Sequence, residues 1–308
     1  MQTSEEMATE FLSRWNIRLE DLAGFVRPLE SSETLLLVGS TTEGLANPLS
    51  DVDLVIIGES DFDKGVVIKE TEYTEWATNL PDGPEINVEY WRASDLEQMQ
   101  QRLTNIFTLL QDPSVLQGPS KLKQLERFSD SELRLLHRIR VGAVLVNPEN
   151  AEGWRQRLML DHLPYYLILH AMSYHNLYRE DTVAQVRYGD PLSALYMLRY
   201  TMDYFAGSML ASVGETNTYS KWRVRLLDRH KEALGAESVE TITRYLFPDP
   251  KQDAAETVRE ALGYADATLN EILTRCPEIV PAMMAMSELF PFVMQVDEEP
   301  KQERSAAE

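Results

Sequence analysis

The sequence predicts an α+β fold in which a mixed-sheet domain is followed by an all-helical bundle domain. In the first third of the chain, apolar residues form short runs or alternate with polar ones, as at residues 35–38, 54–57 and 85–91. A period of two is typical of β-strands. From Ser94 onward the apolar spacing lengthens to about 3.6 residues, the period of an α-helix. Strands followed by a long run of helices therefore indicate two domains of different architecture.

Length and composition are consistent with two medium-sized domains in a chain of 308 residues. We place the boundary near the Asn-Pro-Glu-Asn segment at 147–150. The predicted domains are then residues 1–148, with the sheet, and residues 149–296, with the helices. Residues 297–308 are poor in apolar side chains, and we expect them to form a disordered acidic tail.

Local signals predict the elements of the first domain. A helix is expected from residue 5 to about residue 27, where Pro28 ends it. Residues 64–75 alternate well enough to form a strand, and residues 79–84 have the composition of a turn. A further strand is predicted at 85–91, with Ile86, Val88 and Tyr90 on one face.

Capping residues and breakers mark the helices that follow. Ser129 is expected to cap one helix, Pro164 to kink another, and Asp190 with Pro191 to begin a third that stops at Gly214. The predicted segments begin at residue 94 and continue at 133–140, 154–178, 192–210, 219–234, 238–247 and 254–274.

The chemistry-bearing stretch lies at residues 34–57. An apolar run leads into Gly39 and Ser40, and ten residues later Asp51 and Asp53 open a second apolar run. Residues two apart on a strand point to the same face, so the two carboxylates are expected side by side while Val52 points into a core. Paired carboxylates of this kind provide oxygen ligands for Mg²⁺.

The turn before these acids has the composition of a phosphate-binding segment. Gly39 permits a tight turn, and Ser40 offers a hydroxyl and a backbone N–H where the chain enters a helix. Gly44, about one helical turn later, leaves room for close approach. The combination is more informative than an isolated Asp-x-Asp, which is common on solvated strand edges.

This pattern resembles the nucleotidyltransferase superfamily named after DNA polymerase beta. Within it, the segments 39–44 and 50–54 are most similar to small bacterial members, including aminoglycoside adenylyltransferases. The resemblance implies transfer of a nucleoside monophosphate from a nucleoside triphosphate, most simply AMP from ATP. It also implies two Mg²⁺ ions, and a mixed-sheet domain followed by a helical domain.

The resemblance further implies a third acidic residue on a neighbouring strand. Glu89 is the candidate that we favour, because it lies on the alternating strand at 85–91. Glu70 and Glu72 are the competing candidates on a more polar segment. Two roles remain open for Glu89, as a ligand of the metal near the nucleophile or as general base toward a substrate hydroxyl.

Two groups in the helical domain are candidates for ligand binding. Lys221 and Arg225 are four residues apart and are predicted to share a helix face, where they would bind nucleotide phosphates; the alternative is a solvated basic face. Asp203 is predicted to pair within its helix with Arg199, or alternatively to bind a cationic acceptor.

Charge and cysteine content limit the class of partner. The formal charge of −21 disfavours nucleic acid as a substrate and favours a cationic acceptor such as an aminoglycoside antibiotic. The single cysteine, Cys276, excludes an intramolecular disulfide and fits a reducing cytoplasm. No apolar run is long enough to span a membrane, and no signal peptide is evident. The five histidines and the tyrosine-rich segments are expected to be packing or surface residues.

Alternative acceptors are a protein, a natural-product intermediate or another nucleotide. A different class of function, a module that binds a nucleotide or a partner without catalysis, is also compatible with the fold. Intact Gly39, Ser40, Asp51 and Asp53 argue against that second class.

Overall fold

The computed structural model describes residues 2–59, 69–70, 73–79, 83–111 and 127–287. The chain forms two compact units, residues 1–108 with 126–163, and residues 109–125 with 164–308. The division at 163 lies later than the boundary predicted at 148, because the helix Pro148–Arg157 packs on the sheet of the first unit. The predicted tail at 297–308 lies outside the described residues.

The first unit is built on a six-stranded mixed sheet. Its strands are β1 (Thr34–Val38), β2 (Val52–Gly58), β3 (Lys69–Glu70), β4 (Thr74–Asn79), β5 (Glu85–Arg92) and β6 (Ala143–Val146). They lie in the order β3-β4-β5-β2-β1-β6, with β2 and β5 parallel and the other neighbours antiparallel. The α+β class and the mixed sheet are therefore confirmed.

Among its described residues, this unit also has four helices: α1 (Ser4–Leu12), α2 (Ala93–Gln111), α3 (Asp130–Val141) and α4 (Pro148–Arg157). Alternate residues of the central strands form a core with the N-terminal segment. That core includes Leu35, Leu37, Val52, Leu54, Ile56, Ile86, Val88, Tyr90, Phe11 and Leu22. The predicted facing of Ile86, Val88 and Tyr90 is confirmed, and α3 packs against β1.

The predicted helix over residues 5–27 is wrong in its length. Helix α1 ends at Leu12, and two 3₁₀ segments follow, Ser13–Trp15 and Leu19–Phe25. Asn16 between them has a left-handed backbone with φ of 55°, which no continuous helix accommodates. Leu22 is nevertheless buried, so the apolar spacing reflects the core that these segments share.

The single strand predicted over residues 64–75 is also incorrect where the structure describes it. Glu70 pairs with Thr74 and Lys69 with Glu75, so the chain reverses between two strands here. Strand β4 then runs along β5, a partner that local alternation does not reveal. Residues 64–68, 71–72 and 80–82 lie outside the described residues, and with them Glu72 and part of the predicted turn.

The second unit is helical. Its helices are α5 (Leu163–Tyr188), α6 (Pro191–Ala211), α7 (Arg223–Arg229), α8 (Lys231–Leu234), α9 (Ala236–Leu246), α10 (Ala254–Arg275) and α11 (Val280–Ser287). Helix α6 packs against α7, α9 and α10, which makes it the centre of the bundle. No helix among the described residues has both the length and the apolar content that a membrane span requires.

Breakers fix the ends of these helices, with two corrections. The single helix predicted at 219–234 is divided at His230 into α7 and α8, after a 3₁₀ turn at Ser220–Trp222. Pro164 lies at the start of α5 rather than at a kink inside a longer helix, because α4 ends at Arg157. Asp190 caps α6 as predicted, since its Oδ1 accepts a hydrogen bond of 3.0 Å from the Ser193 N–H. Tyr174 stacks on Tyr204 within the bundle with ring centroids 4.9 Å apart, in line with a packing role.

Candidate active site

The turn after β1 lies directly against one of the predicted carboxylates. Strand β1 ends at Val38, and Gly39 begins a 3₁₀ turn with a φ of 78°. A Cβ atom at Gly39 would lie 2.2 Å from Asp53 Oδ2, a distance that no side chain tolerates. Glycine is thus required twice over, for its left-handed backbone and for the approach of the carboxylate.

Ser40 follows in this turn and is partly exposed. The N–H groups of Leu45 and Ala46 both donate to the Ser40 carbonyl at 3.0 Å, which holds the loop closed. Within the part of the chain that the structure describes, the Ser40 hydroxyl makes no hydrogen bond, so it can bind an incoming oxygen. Gly44 also has a positive φ, 64°, and a Cβ there would lie 2.9 Å from Met7 Sδ in α1.

The two aspartates lie at the start of β2. Val52 and Leu54 are fully buried in the core, so Asp53 between them faces the other side of the sheet, where its side chain is 27% exposed. Asp53 pairs in register with Val38 on β1. Asp51 precedes the strand, is exposed, and makes no hydrogen bond or ion pair with any described residue.

Glu89 lies on the adjacent parallel strand, on the face that carries Asp53. Asp53 pairs with Asn87 and Val55 pairs with Glu89, so the two carboxylates belong to neighbouring strands and are offset by two residues. Of the competing candidates, Glu72 lies outside the described residues, and Glu70 is described in its backbone alone.

A buried arginine joins these two carboxylates. Arg138 Nη1 lies 2.5 Å from Glu89 Oε1, and Arg138 Nη2 lies 3.8 Å from Asp53 Oδ2. Arg138 belongs to α3, which packs on β1. Sequence reasoning missed this residue, because an arginine near a helix end gives no local sign of a partner 49 positions away.

Two aromatic residues flank Glu89 on the same side of the sheet. The Trp91 Nε1 donates to Glu89 Oε2 over 3.4 Å, and the Trp91 ring stacks on Tyr73 with centroids 4.8 Å apart. Burial, followed by the negative charges of Glu89 and Glu75, raises the pKa of Tyr73 to about 12. The surroundings of Glu89 are thus partly apolar, which strengthens its attraction to Arg138.

The segment after Ser40 contributes a further buried pair. Glu43 Oε2 lies 3.1 Å from His137 Nε2, and both side chains are less than a tenth exposed. His137 is the neighbour of Arg138 on α3. The predicted packing role of this histidine fits its burial, whereas Glu43 was overlooked as a residue that fastens the turn to the helix.

In the helical unit, the predicted basic residues gather around one indole ring. Lys221 Nζ lies 5.1 Å from the centre of the Trp222 ring, and Arg225 Cζ lies 5.2 Å from it. Lys221 belongs to the 3₁₀ turn Ser220–Trp222 and Arg225 to α7. Both side chains are exposed. Their role toward phosphate stays a prediction.

Asp203 does not pair with Arg199, contrary to expectation. Its Oδ1 accepts from Arg223 Nε at 3.0 Å, and its Oδ2 accepts from Ser220 Oγ at 2.6 Å. Arg199, one turn earlier, lies over the ring of Phe247 instead. These side chains line a cavity of about 350 Å³, in which Arg223 already neutralises the aspartate.

The donor set fits a divalent cation in part. Asp51 and Asp53 offer the carboxylate oxygens that Mg²⁺ prefers, and Asp51 is exposed. Among the residues that the structure describes, however, Asp51, Asp53 and Glu89 do not form a set whose ligand oxygens all lie within 4.8 Å of one another. Asp51 and Asp53 would therefore hold an ion without Glu89, both of whose oxygens already have partners.

Comparison with known proteins supports a class of reaction. Residues 19–109 match the family described as Nucleotidyltransferase domain. A crystal structure of a nucleotidyltransferase-like protein from Exiguobacterium sibiricum is similar over 94% of this chain and 81% of that chain, with 11% sequence identity and a TM-score of 0.42. That likeness is too distant to inform on activity.

No curated protein sequence matches the chain. The finer resemblance to aminoglycoside adenylyltransferases therefore stays a prediction. The matched residues 19–109 contain β1, β2 and β5, with the turn at Gly39 and all three predicted carboxylates. The N-terminal part of the chain thus carries a nucleotidyltransferase domain, which makes this protein a transferase.

Proposed function

We propose that this protein is a Mg²⁺-dependent enzyme that transfers AMP from ATP to a hydroxyl group of a small acceptor. One observation carries the proposal. The Gly39 turn lies so close to Asp53 that even a methyl group would collide with the carboxylate. A phosphate-binding turn and a metal-binding carboxylate must be adjacent if one nucleotide is to use both.

Each residue of this site has a defined role in the proposal. The Ser40 hydroxyl and the N–H groups of its turn bind a β- or γ-phosphate oxygen. Asp51 and Asp53 hold Mg²⁺, which neutralises charge on the phosphates and on the departing pyrophosphate. Lys221 and Arg225 keep their predicted role as cations for the phosphates.

The acceptor is a polycationic molecule such as an aminoglycoside. The net charge of −21 supports this choice, because a strongly negative surface attracts cations and repels nucleic acid. Asp203 contributes little to this attraction, because Arg223 and Ser220 occupy its oxygens. The negative potential of the whole surface supports the acceptor class more than any single carboxylate does.

The activity can be tested with α-³²P-labelled nucleoside triphosphates and Mg²⁺ over a panel of aminoglycosides, nucleotides and proteins. We expect release of pyrophosphate and label on the acceptor, with ATP preferred. Asp53→Asn should reduce transfer by about 100-fold or more, since it removes charge stabilisation from the reacting phosphates. The control, Asp228→Asn, alters an exposed aspartate of α7 and should leave transfer unchanged.

The outcomes separate the parts of the proposal. Transfer to a nucleotide or protein would replace the acceptor class and leave the reaction type intact. If no acceptor takes up label from any triphosphate, or if Asp53→Asn is as active as the native chain, the proposed function is wrong.

A further inference from the structure

We infer that Arg138 takes the place of one of the two metal ions expected in a site of this kind, so that the chain holds a single divalent cation on Asp51 and Asp53. In this arrangement Glu89 anchors the arginine and is neither a metal ligand nor a general base. The inference rests on the proposed function, whose metal-binding aspartates it retains.

Both oxygens of Glu89 are already in use. Oε1 accepts from Arg138 Nη1 at 2.5 Å, and Oε2 accepts from Trp91 Nε1 at 3.4 Å. The carboxylate is partly buried, with its side chain 15% exposed. The guanidinium at 2.5 Å offsets the negative charge with which Glu89 would attract a metal ion or a substrate proton. This ion pair therefore opposes both roles.

The arginine is fixed in place rather than lying on the surface. Its side chain is 9% exposed, and it extends from α3, a helix that begins with a reciprocal cap between Ser129 and Glu132. The cap residue Glu132 also pairs with Arg102 of α2. A buried guanidinium that loses its carboxylate is strongly disfavoured, so Arg138 and Glu89 hold each other.

The position of Arg138 is suited to charge stabilisation. Its Nη2 lies 3.8 Å from Asp53 Oδ2, beside the carboxylate that the Gly39 turn approaches. A divalent ion bound to Glu89 would meet this positive charge at close range, and like charges repel strongly in a partly buried site. A preorganised guanidinium can instead stabilise negative charge on a neighbouring phosphate without a second ion.

The test is Mn²⁺ binding by the full-length chain, followed by electron paramagnetic resonance and calorimetry, with and without a non-hydrolysable ATP analogue. The Mn²⁺ binding of the variant Asp51→Asn/Asp53→Asn is subtracted from that of the native chain, because a surface this acidic also binds cations non-specifically. We expect one remaining Mn²⁺ per chain and no spectrum of a coupled Mn²⁺ pair. Glu89→Gln should keep this one ion per chain but bind it several-fold more weakly, because the positive charge of Arg138 is no longer balanced; the amide oxygen can still accept from Arg138.

A double variant, Glu89→Gln/Arg138→Met, removes both charges of the pair and avoids leaving one of them buried alone. We expect it to keep one Mn²⁺ per chain with affinity within a few-fold of the native value, because loss of the whole pair leaves the net charge beside Asp53 unchanged. Circular dichroism and thermal unfolding would verify that it folds.

Two results would overturn the inference and leave the proposed function standing. One is a coupled Mn²⁺ pair in the native chain that Glu89→Gln reduces to a single ion. The other is a double variant that loses Mn²⁺ as completely as Asp53→Asn does. If the native chain binds no more Mn²⁺ than Asp51→Asn/Asp53→Asn does, the proposed function is contradicted, and this inference with it.

Discussion

Gly39 shows how a single residue can carry two constraints. Its φ of 78° is costly for any residue with a side chain, and its missing Cβ makes room for Asp53. We predict that Gly39→Ala destabilises the chain by about 1–2 kcal/mol through the backbone alone. The collision with Asp53 should add a loss of Mg²⁺ and nucleotide binding, measured by calorimetry.

Gly189 provides the matched control for this prediction. Its φ of 80° is nearly the same, but no heavy atom lies within 4 Å of the position a Cβ would take. Gly189→Ala should lose a similar amount of stability and keep full binding. Equal binding by both variants would show that the approach of Gly39 to Asp53 has no part in the site.

His175 predicts a pH dependence of stability. It lies in α5, almost fully buried, and Nδ1 contacts the Thr201 carbonyl at 3.0 Å. Burial lowers its pKa to about 4 from an ordinary value of 6.5. Between these values the unfolded chain binds more protons than the folded one, so stability is complete above pH 6.5 and falls as the pH drops toward 4.

The size of this effect is about 3 kcal/mol, from 1.36 kcal/mol per pKa unit. It can be measured as the free energy of unfolding in urea from pH 7.5 to 4.5. His175→Asn keeps a donor for the Thr201 carbonyl and should flatten the pH dependence. The control His162→Asn changes an exposed histidine and should leave the pH dependence of stability unchanged. The same acid sensitivity in His175→Asn as in the native chain would exclude His175 as the cause.

The sequence predicted the strands of Asp53 and Glu89 better than the surroundings of these residues. Alternation placed Glu89 on a strand, the family resemblance implied that this strand neighbours the one with Asp53, and β2 and β5 do pair. Arg138 was not predictable in this way, because its contact with Glu89 depends on how α3 packs across the sheet. Asp203 illustrates the same limit, since its partner Arg223 comes from a different helix rather than from the preceding turn.

At the scale of elements, helix ends illustrate what local chemistry determines. In α3, the Ser129 hydroxyl accepts from the Glu132 N–H at 3.2 Å, and Glu132 accepts in return from the Ser129 N–H at 2.8 Å. The caps at Ser129 and Asp190 were predicted because a helix cap depends on residues close in sequence. The break at Asn16 was missed because the apolar spacing continued across it.

Removal of the cap on α3 gives a prediction at this scale. Ser129→Ala should lower the free energy of unfolding by about 1 kcal/mol, the usual value of a lost N-cap. Ser129→Asp, which preserves an acceptor, is the matched control and should restore most of it. Denaturant titrations would measure both. An alanine variant as stable as the native chain would mean that Glu132 and Arg102 alone hold this end of the helix.

For the molecule as a whole, charge is the dominant feature. A net charge of −21 over 308 residues implies strong self-repulsion in the folded chain. We predict that the melting temperature rises between 20 and 300 mM NaCl, by about 2–4 °C for each kcal/mol of repulsion that salt screens. KCl in place of NaCl, with a chelator present, separates screening from specific ion binding. A melting temperature that falls with salt would show that ion pairs outweigh the repulsion.

The architecture was predicted at the level of class but not of boundary. Alternation followed by helical spacing correctly gave a sheet unit and a helical unit. The division at 163 depends on α4 packing on the sheet, which the Asn-Pro-Glu-Asn segment at 147–150 does not reveal. Turn-like composition indicates where a chain bends, whereas a unit ends where its packing contacts end.

The last strand of the sheet has a consequence for synthesis of the protein. Strand β6, at residues 143–146, pairs with β1 at residues 34–38, and Thr34 Oγ1 donates to the Val146 carbonyl. During synthesis, one edge of β1 therefore stays unpaired until more than a hundred further residues have left the ribosome. In nascent chains stalled before β6, the unpaired backbone groups of this edge would be exposed and could pair with another molecule.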